Sequence, residues 1–182
     1  MDIKKLTQKS LDAVKEAQKI ATENQNQKMD LEHLAKVDKL KTKMLKYIFY
    51  KKRTEKEVIE KFKNEDSDLV DETIENLKEL GYINDEIYVE KYFHEVIALK
   101  NLSIFEIKYK LLAKGVSEDI IDDYISKNED MLLDYEKLAA NNLVRKRKDT
   151  STKEETMAYL NKKGYPYELI RKLDFSDYEE TN

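Results

Sequence analysis

The sequence has 182 residues with 34 basic and 38 acidic side chains, a net charge of −4 at pH 7 and 40% hydrophobic residues. The absence of cysteine excludes disulfides, thiolate metal sites and cysteine nucleophiles, and three glycines and one proline are too few for a fold built on many β-turns. No apolar run approaches the roughly 20 residues of a membrane span, and the N-terminus lacks the apolar core of a signal peptide. We therefore expect an all-α protein that is cytoplasmic and monomeric.

The first predicted element is an amphipathic helix within residues 1–36, which we treat as an appendage to the rest of the chain. The asparagine and glutamine run at 24–27 predicts the end of this helix, because asparagine side chains compete for backbone hydrogen bonds. A second short helical start follows at Met29. The apolar residues that indicate one face of the helix are Leu6, Ala13, Val14, Ala17, Ile20 and Ala21.

Three short strings in this segment, at 6–10, 17–21 and 30–34, resemble the opening of the N-terminal domain of Clp chaperones. The likeness covers only about the first 34 residues, and a stretch of that length cannot bury a core of its own. Two hypotheses follow. The segment is either a helix that packs on the rest of the chain or stays partly free, or the functional part of a chaperone-associated adaptor.

A repeat of 49 residues organises residues 37–176. Capping boxes, in which a serine or threonine is followed three positions later by glutamate, begin at Thr54, Ser103 and Thr152, 49 residues apart in each step. In such a box the hydroxyl accepts a hydrogen bond from the backbone N–H three residues on, and the glutamate reaches back to the first N–H. Each box therefore predicts the start of a helix.

The repeat extends to both sides of the capping boxes. Gly115 and Gly164 are each expected to end a helix, and Leu40, Val89 and Leu138 correspond on the apolar faces of the preceding helices. We predict an elongated, curved array that buries a continuous core between neighbouring units, because one unit of three short helices is too small to be stable alone. The predicted units, each of three helices, are 40–84, 85–128 and 129–175.

Four strings in these units resemble the RecX family of recombination regulators. They lie at 52–58, 77–86, 111–121 and 159–166, and the second, Leu-Lys-Glu-Leu-Gly-Tyr-Ile-Asn-Asp-Glu, is the most recognisable. The likeness spans residues 38–175, although many members carry a β-rich segment before the repeats. The resemblance implies a non-enzymatic regulator in DNA repair and the SOS response. Such a protein would bind the RecA recombinase filament in its groove and inhibit its ATPase, strand-exchange and coprotease activities.

The residues themselves offer little for catalysis. The chain has two histidines and lacks a glycine-rich phosphate loop, a zinc-binding histidine motif and a nucleophile elbow, so we assign no catalytic residue, metal ligand or cofactor. We expect His94 to be half-buried in the core and His33 to be exposed. A third hypothesis, an enzyme that acts on nucleic acid, would need clustered carboxylates at a metal site, which the periodicity does not indicate.

Two basic clusters are the candidate partner-binding or DNA-binding residues. One lies just before the first capping box and the other before the third, while Lys100 continues the row weakly in the second unit, and an acidic tail at 177–182 ends the chain. These cations would neutralise DNA phosphate or an acidic recombinase surface, or they would simply favour the negative ends of helix dipoles. The net charge of −4 argues against DNA as the sole partner. The candidate residues are Lys51, Lys52, Arg53, Lys100, Arg145, Lys146, Arg147 and Lys148.

Overall fold

The computed structural model describes the backbone of residues 3–178 and the side chains of residues 15, 16, 19 and 21–178. Within residues 3–178 the chain forms nine α-helices and no strand, so the expectation of an all-α fold is confirmed. The helices are α1 (Ile3–Tyr50), α2 (Glu55–Phe62), α3 (Ser67–Glu79), α4 (Asp85–Leu99), α5 (Ile104–Ala113), α6 (Glu118–Lys127), α7 (Glu129–Arg147), α8 (Lys153–Lys162) and α9 (Tyr167–Ile170).

The first helix, α1, is longer than the sequence predicted and continues without a break to Tyr50. The predicted end at 24–27 is wrong, because adding a residue to an existing helix gains a backbone hydrogen bond and outweighs the weak local preference of asparagine. All side chains from 21 to 36 are exposed, and Val37 is the first buried one in the described part of the chain. The predicted apolar face, apart from Ala21, lies outside the described side chains.

The three predicted capping residues each precede a helix. Thr54 and Thr152 form complete capping boxes with the glutamates three residues on, and the Ser103 hydroxyl accepts from the Glu106 backbone N–H at 3.0 Å. These bonds satisfy N–H groups that have no partner inside the helix. The starts of α2, α5 and α8 are therefore fixed by residues within one turn of the helix start.

In α7 the 49-residue register fails. Leu138 is 60% exposed, whereas the neighbouring Ala139 and Ala140 are buried. The connection from α7 to its capping residue holds four residues (148–151), while the corresponding connections after α1 and α4 hold three each. The buried Ala140 and Val144 lie 51 residues after the buried Val89 and Phe93, so α7 faces the core in a register shifted by two residues. The predicted equivalence of Leu138 with the buried Leu40 and Val89 is therefore wrong.

The buried apolar side chains form two separate cores. One core fills the space between α1, α2 and α3 and extends to Ile83, and the second lies within α4 to α9 and begins at Tyr88. The expectation of one continuous core is therefore wrong. The second and third predicted units share a core, whereas the first unit has its own.

Polar contacts join the helices of successive predicted units, and they recur at the repeat spacing. The Thr54 hydroxyl donates to the Lys114 carbonyl at 2.7 Å, and the Ser103 hydroxyl donates to the Lys163 carbonyl at 2.6 Å. Both hydroxyl residues are fully buried. We call this pair of contact regions, each with one capping hydroxyl and the helix end that it holds, the polar joints.

Each polar joint also contains a carboxylate that accepts a backbone N–H. Asp85 accepts from the Glu55 N–H at 3.0 Å in the first joint, and Glu136 accepts from the Ile104 N–H at 2.8 Å in the second. Burial raises the pKa of both carboxyl groups above its ordinary value. The N-terminal turns of α2 and α5 are thus held by acceptors that come from distant parts of the chain.

Ion pairs complete the joints. Lys114 lies 2.9 Å from Glu57 in the first joint, and Lys163 lies 3.8 Å from Glu106 in the second. Burial acts to raise the pKa of Glu57, but the hydrogen bonds from Lys114 and from the Thr54 backbone outweigh it, so the pKa is lowered. The first joint is therefore the more tightly paired of the two.

Candidate interaction surfaces

The first basic cluster lies where α1 ends. Lys51 and Lys52 are exposed, whereas Arg53 is half-buried. The Arg53 guanidinium lies 4.3 Å from the centre of the Tyr47 ring, and its Nε is buried without a hydrogen-bond partner. A cation stacked on an aromatic face contributes to local stability, so Arg53 has a packing role and the two lysines are the residues available to a partner.

A cleft beside this cluster was not predicted from the sequence. It has a volume of about 310 Å³ and lies between the end of α1, the connection that follows α3, and the first half of α4. We call it the α1–α4 cleft. Its lining residues are Ile48, Phe49, Lys52, Arg53, Gly81, Tyr82, Asn84, Ile87, Tyr88 and Lys91.

Two lysines line this cleft together, Lys52 from the connection after α1 and Lys91 from α4. Contact with the Lys91 ammonium, together with burial and charge repulsion, lowers the pKa of Lys52 from its ordinary value. Like charges held close together repel each other and attract an anion. Lys91 carries no sequence signal of this role, because it lies 39 residues after Lys52 and only the fold brings both into the lining of one cleft.

Lys100 lies at the end of α4, as predicted, and its side chain is exposed. Its backbone carbonyl accepts from the Tyr135 hydroxyl at 3.3 Å. The single proton of that hydroxyl is shared between this carbonyl and the nearer Leu102 carbonyl at 2.9 Å, and the hydroxyl oxygen accepts from the Leu102 N–H at 3.1 Å. The backbone at Lys100 is therefore fixed by α7, while its ammonium projects into solvent as a single positive charge.

The second basic cluster lies in the last turn of α7 and the residue after it. Arg145 and Lys146 are exposed. Arg147 is half-buried, lies 4.3 Å from the centre of the Tyr159 ring and donates to the Ser151 hydroxyl at 2.8 Å. As in the first cluster, one arginine packs on a tyrosine ring and its neighbours remain available to a partner.

The acidic C-terminal segment lies against this second cluster. Lys148 Nζ is 3.6 Å from the Asp177 carboxylate. Hydrogen bonds from the Ser176 backbone and hydroxyl lower the pKa of Asp174, and the positive charge of Arg145 lowers it further. The carboxylates of Asp174 and Asp177 thus screen the cations that the sequence predicted to bind a partner. The remainder of the predicted tail, 179–182, lies outside the described residues.

A buried tyrosine anchors this segment. The Tyr178 hydroxyl donates to the Val144 carbonyl at 2.8 Å and lies 3.1 Å from the Thr156 hydroxyl, and the Tyr178 ring meets the Phe175 ring edge-on at 5.4 Å. Burying an aromatic ring with its hydroxyl satisfied is a strong local constraint. The position of the two carboxylates beside the cluster is therefore set by packing as well as by charge.

A larger depression of about 600 Å³ lies at the first polar joint. Three of its charged residues are already engaged with each other, because Lys78 pairs with Glu55 at 3.3 Å and the Asp85 carboxylate accepts from the Glu55 backbone. The depression is therefore part of the contact between helices and offers fewer free groups than the α1–α4 cleft.

The two histidines lie on different helices, His33 on α1 and His94 on α4. His33 is exposed and its Nε2 lies 2.6 Å from the Glu72 carboxylate. His94 is exposed, so the expectation that it is half-buried is wrong: it follows the buried Phe93 by one residue and is therefore turned about 100° away from the core-facing side of α4. Across the described residues, no group of three or more metal-ligating side chains occurs, and no helix there is long and apolar enough to cross a membrane.

Comparison with known proteins gives a consistent set of relatives. The chain is 34% identical over 154 residues to the regulatory protein RecX of Clostridium perfringens strain SM101, an alignment that covers 78% of this chain and 72% of the relative. It is 31% identical over 135 residues to the regulatory protein RecX of Streptococcus agalactiae serotype V, covering 69% of this chain and 50% of that relative. No family model matches the chain.

Solved structures agree with these sequence relatives. A crystal structure of regulatory protein RecX superposes with a TM-score of 0.68 at 21% identity and covers 80% of this chain and 73% of that one. The RecX crystal structure from Lactobacillus salivarius superposes with a TM-score of 0.63 at 26% identity and covers 74% of this chain and 92% of that one. The arrangement of helices described above is therefore also found in experimental structures.

Proposed function

This chain belongs to the RecX family of regulatory proteins, and from that premise we propose that it binds RecA recombinase filaments and lowers their ATPase, strand-exchange and coprotease activities without being an enzyme itself. The observation that carries the proposal is the likeness to proteins named as RecX regulators over 78% of the chain. A chain of helical units presents many modest contacts along its length rather than one deep pocket, which suits a partner made of repeated protomers.

The exposed cations supply the contact chemistry in this proposal. Lys51 and Lys52 lie at the end of α1, and Arg145 and Lys146 lie at the end of α7. Such side chains neutralise phosphate and release counterions, and they equally pair with carboxylates on a protein surface. The net charge of −4 makes DNA phosphate a secondary contact beside the recombinase itself.

A titration of RecA ATP hydrolysis tests the proposal. The protein is added to RecA on single-stranded DNA, and the steady-state hydrolysis rate is measured as the protein concentration rises. We expect the rate to fall and to reach a plateau near saturation of the filament. An unchanged rate at a large molar excess of the protein would show that the assigned function is wrong.

Two variants test the contribution of the cations. Replacing Arg145, Lys146 and Lys148 by alanine should weaken inhibition and flatten its salt dependence, by about 0.7 in the logarithmic slope for each lost contact to single-stranded phosphate. Arg147 is left in place because it packs on Tyr159. An unchanged salt slope would exclude phosphate contact by this cluster and leave the fold and family unaffected.

A second candidate function, a chaperone-associated adaptor, is favoured by one observation. Met29, Leu31 and Leu34 are apolar, lie on α1 and are 59–68% exposed. Deleting residues 1–34 removes the chain before the first described buried side chain, Val37, so the deletion should leave both cores intact. If the shortened protein inhibits RecA as well as the full chain does, the N-terminal segment is not required for the proposed function.

A further inference from the structure

The α1–α4 cleft has an unusual charge for this molecule. Three of its ten lining residues are cationic (Lys52, Arg53 and Lys91), and none is acidic, although acidic residues outnumber basic ones in the whole chain by 38 to 34. No carboxylate among the lining residues compensates the repulsion between Lys52 and Lys91. A bound anion would remove that repulsion.

The same cleft exposes apolar surface. The side chain of Phe49 is 70% exposed, that of Tyr82 is 43% exposed and that of Ile87 is 42% exposed. The Phe49 and Tyr82 rings meet edge to face, with centres 5.7 Å apart and planes at 86°. Apolar side chains grouped beside charges are characteristic of contact sites for a partner, because the apolar part supplies affinity and the charges supply orientation.

The geometry favours a side chain over a nucleotide base. Because the two rings are perpendicular, they do not form a flat platform on which successive bases could stack. The remaining apolar lining comes from the aliphatic Ile48 and Ile87 and from Tyr88, which is buried and offers no open ring face. The volume of about 310 Å³ is small for a ligand pocket and suits one apolar side chain with its flanking backbone.

Charge favours a short acidic segment over a long polyanion. The chain as a whole carries a charge of −4, which repels an extended nucleic acid beyond the cleft. A peptide places its carboxylates next to the anchoring side chain and nowhere else, so it gains the local attraction of Lys52 and Lys91 without that longer-range repulsion.

We propose that the α1–α4 cleft binds a peptide segment in which one apolar side chain is flanked by carboxylates. The apolar side chain occupies the space between Phe49, Tyr82 and Ile87, and the flanking carboxylates pair with Lys52 and Lys91. The source of the peptide segment, a subunit of the recombinase filament, rests on the proposed function. The chemistry of the cleft rests on the contacts given above.

Fluorescence anisotropy with a synthetic probe tests this proposal. The probe is a fluorescein-labelled peptide with one phenylalanine between two pairs of glutamates, and the protein is the full chain. We expect saturable binding at low salt, weakened about tenfold or more by Lys91→Glu, as expected for loss of a charge-assisted contact and added repulsion. Replacing the phenylalanine of the probe by alanine should weaken binding to the unchanged protein as well.

A matched control separates the cleft from general charge. Lys137→Glu makes the same change in net charge at an exposed position on α7, outside the cleft lining, and should leave probe binding unchanged. Equal losses in the two variants, or no saturable binding to the unchanged protein, would overturn the proposal. So would a thymidine oligonucleotide that binds where the peptide does not and loses its binding in Lys91→Glu, since the cleft would then be a nucleic-acid site.

The outcome is independent of the filament assay. The anisotropy measurement contains no recombinase, so failure of the peptide to bind refutes the cleft assignment even where the protein inhibits ATP hydrolysis. Conversely, specific peptide binding by a protein without effect on ATP hydrolysis would support the cleft chemistry and refute the proposed function. Near-identical circular dichroism of the Lys91→Glu variant and the unchanged protein shows that a lost signal is due to binding.

Discussion

Gly115 is the point of closest approach in the first polar joint, and replacing it by alanine tests how tightly the joint is built. Its φ of +86° lies in the left-handed region that favours glycine. A Cβ at this position would lie 2.0 Å from Lys56 Cδ and 2.5 Å from Lys56 Cβ. Because Lys56 Cβ is attached directly to the α2 backbone, rotation of the lysine side chain cannot relieve the whole clash.

The expected loss has three parts. The left-handed backbone alone disfavours an L-residue by about 1–2 kcal/mol. The clash adds about 1–3 kcal/mol for overpacking. Any outward movement of α2 also stretches the 2.7 Å hydrogen bond from the Thr54 hydroxyl to the Lys114 carbonyl. Loss of that bond adds about 1–3 kcal/mol, because both buried groups then lack a partner. The steric and hydrogen-bond parts together come to about 2–6 kcal/mol.

Gly81 provides the matched control for the backbone part. Its φ is +73°, yet a Cβ there would meet nothing within 4 Å. Urea unfolding of Gly115→Ala, Gly81→Ala and the unchanged protein, followed by circular dichroism, measures both losses. We expect Gly81→Ala to show only the backbone loss of about 1–2 kcal/mol and Gly115→Ala to lose at least about 2 kcal/mol more.

The same reasoning predicts the size of the stability loss at a third glycine, Gly164. At Gly164 a Cβ would lie 2.6 Å from Phe105 Cδ1 and 3.0 Å from Phe105 Cβ, a milder clash than at Gly115, so Gly164→Ala should fall between the other two variants. Equal unfolding free energies for Gly115→Ala and Gly81→Ala, within about 0.5 kcal/mol, would refute the close contact at the first joint.

Three further predictions concern a buried carboxyl group, paired charges and a buried hydroxyl. Because burial raises the pKa of Glu136, ionisation of this carboxyl group should cost stability as pH rises through its raised pKa. The Glu136→Gln variant should therefore lose less stability, or gain more, than the unchanged protein in urea unfolding between mildly acidic and neutral pH; an identical pH dependence of the two proteins would contradict this. Replacing Asp174 and Asp177 by asparagine should strengthen single-stranded DNA binding by about 2- to 5-fold in anisotropy, whereas unchanged affinity would show that the adjacent cations do not bind DNA. Ser103→Ala, which removes a buried donor to the Lys163 carbonyl, should lower the free energy of unfolding by about 1–3 kcal/mol; a loss under about 0.5 kcal/mol would contradict a structural role.

Local features of the fold could be predicted because they depend on neighbouring residues. The caps at Thr54, Ser103 and Thr152 each involve a hydroxyl and a backbone N–H three residues away, and such short-range bonds form in nearly any tertiary context. Errors arose where a distant contact decided the outcome. The helix α1 passes through 24–27 although the local sequence favours an end there, and Leu138 faces solvent although the repeat spacing placed it inside.

The candidate binding residues show the same difference between local features, which the sequence predicts, and distant contacts, which it does not. The sequence located the basic clusters, because runs of lysine and arginine are visible without a structure. It could not distinguish Arg53 and Arg147, which stack on tyrosine rings, from the exposed lysines beside them. It also could not show that Asp177 lies beside Lys148, since the partners are 29 residues apart and meet only through packing around Tyr178.

An all-α fold, three capped helix starts and the positions of the cations could be predicted from composition and from spacing within a few residues. The two cores, the polar joints between helices, and the meeting of Lys52 and Lys91 beside exposed aromatic rings depend instead on contacts between distant residues. The physical reason is the range of the interactions. A hydroxyl and the carbonyl that it holds across a polar joint are 60 residues apart, and no local pattern records which distant surfaces will meet.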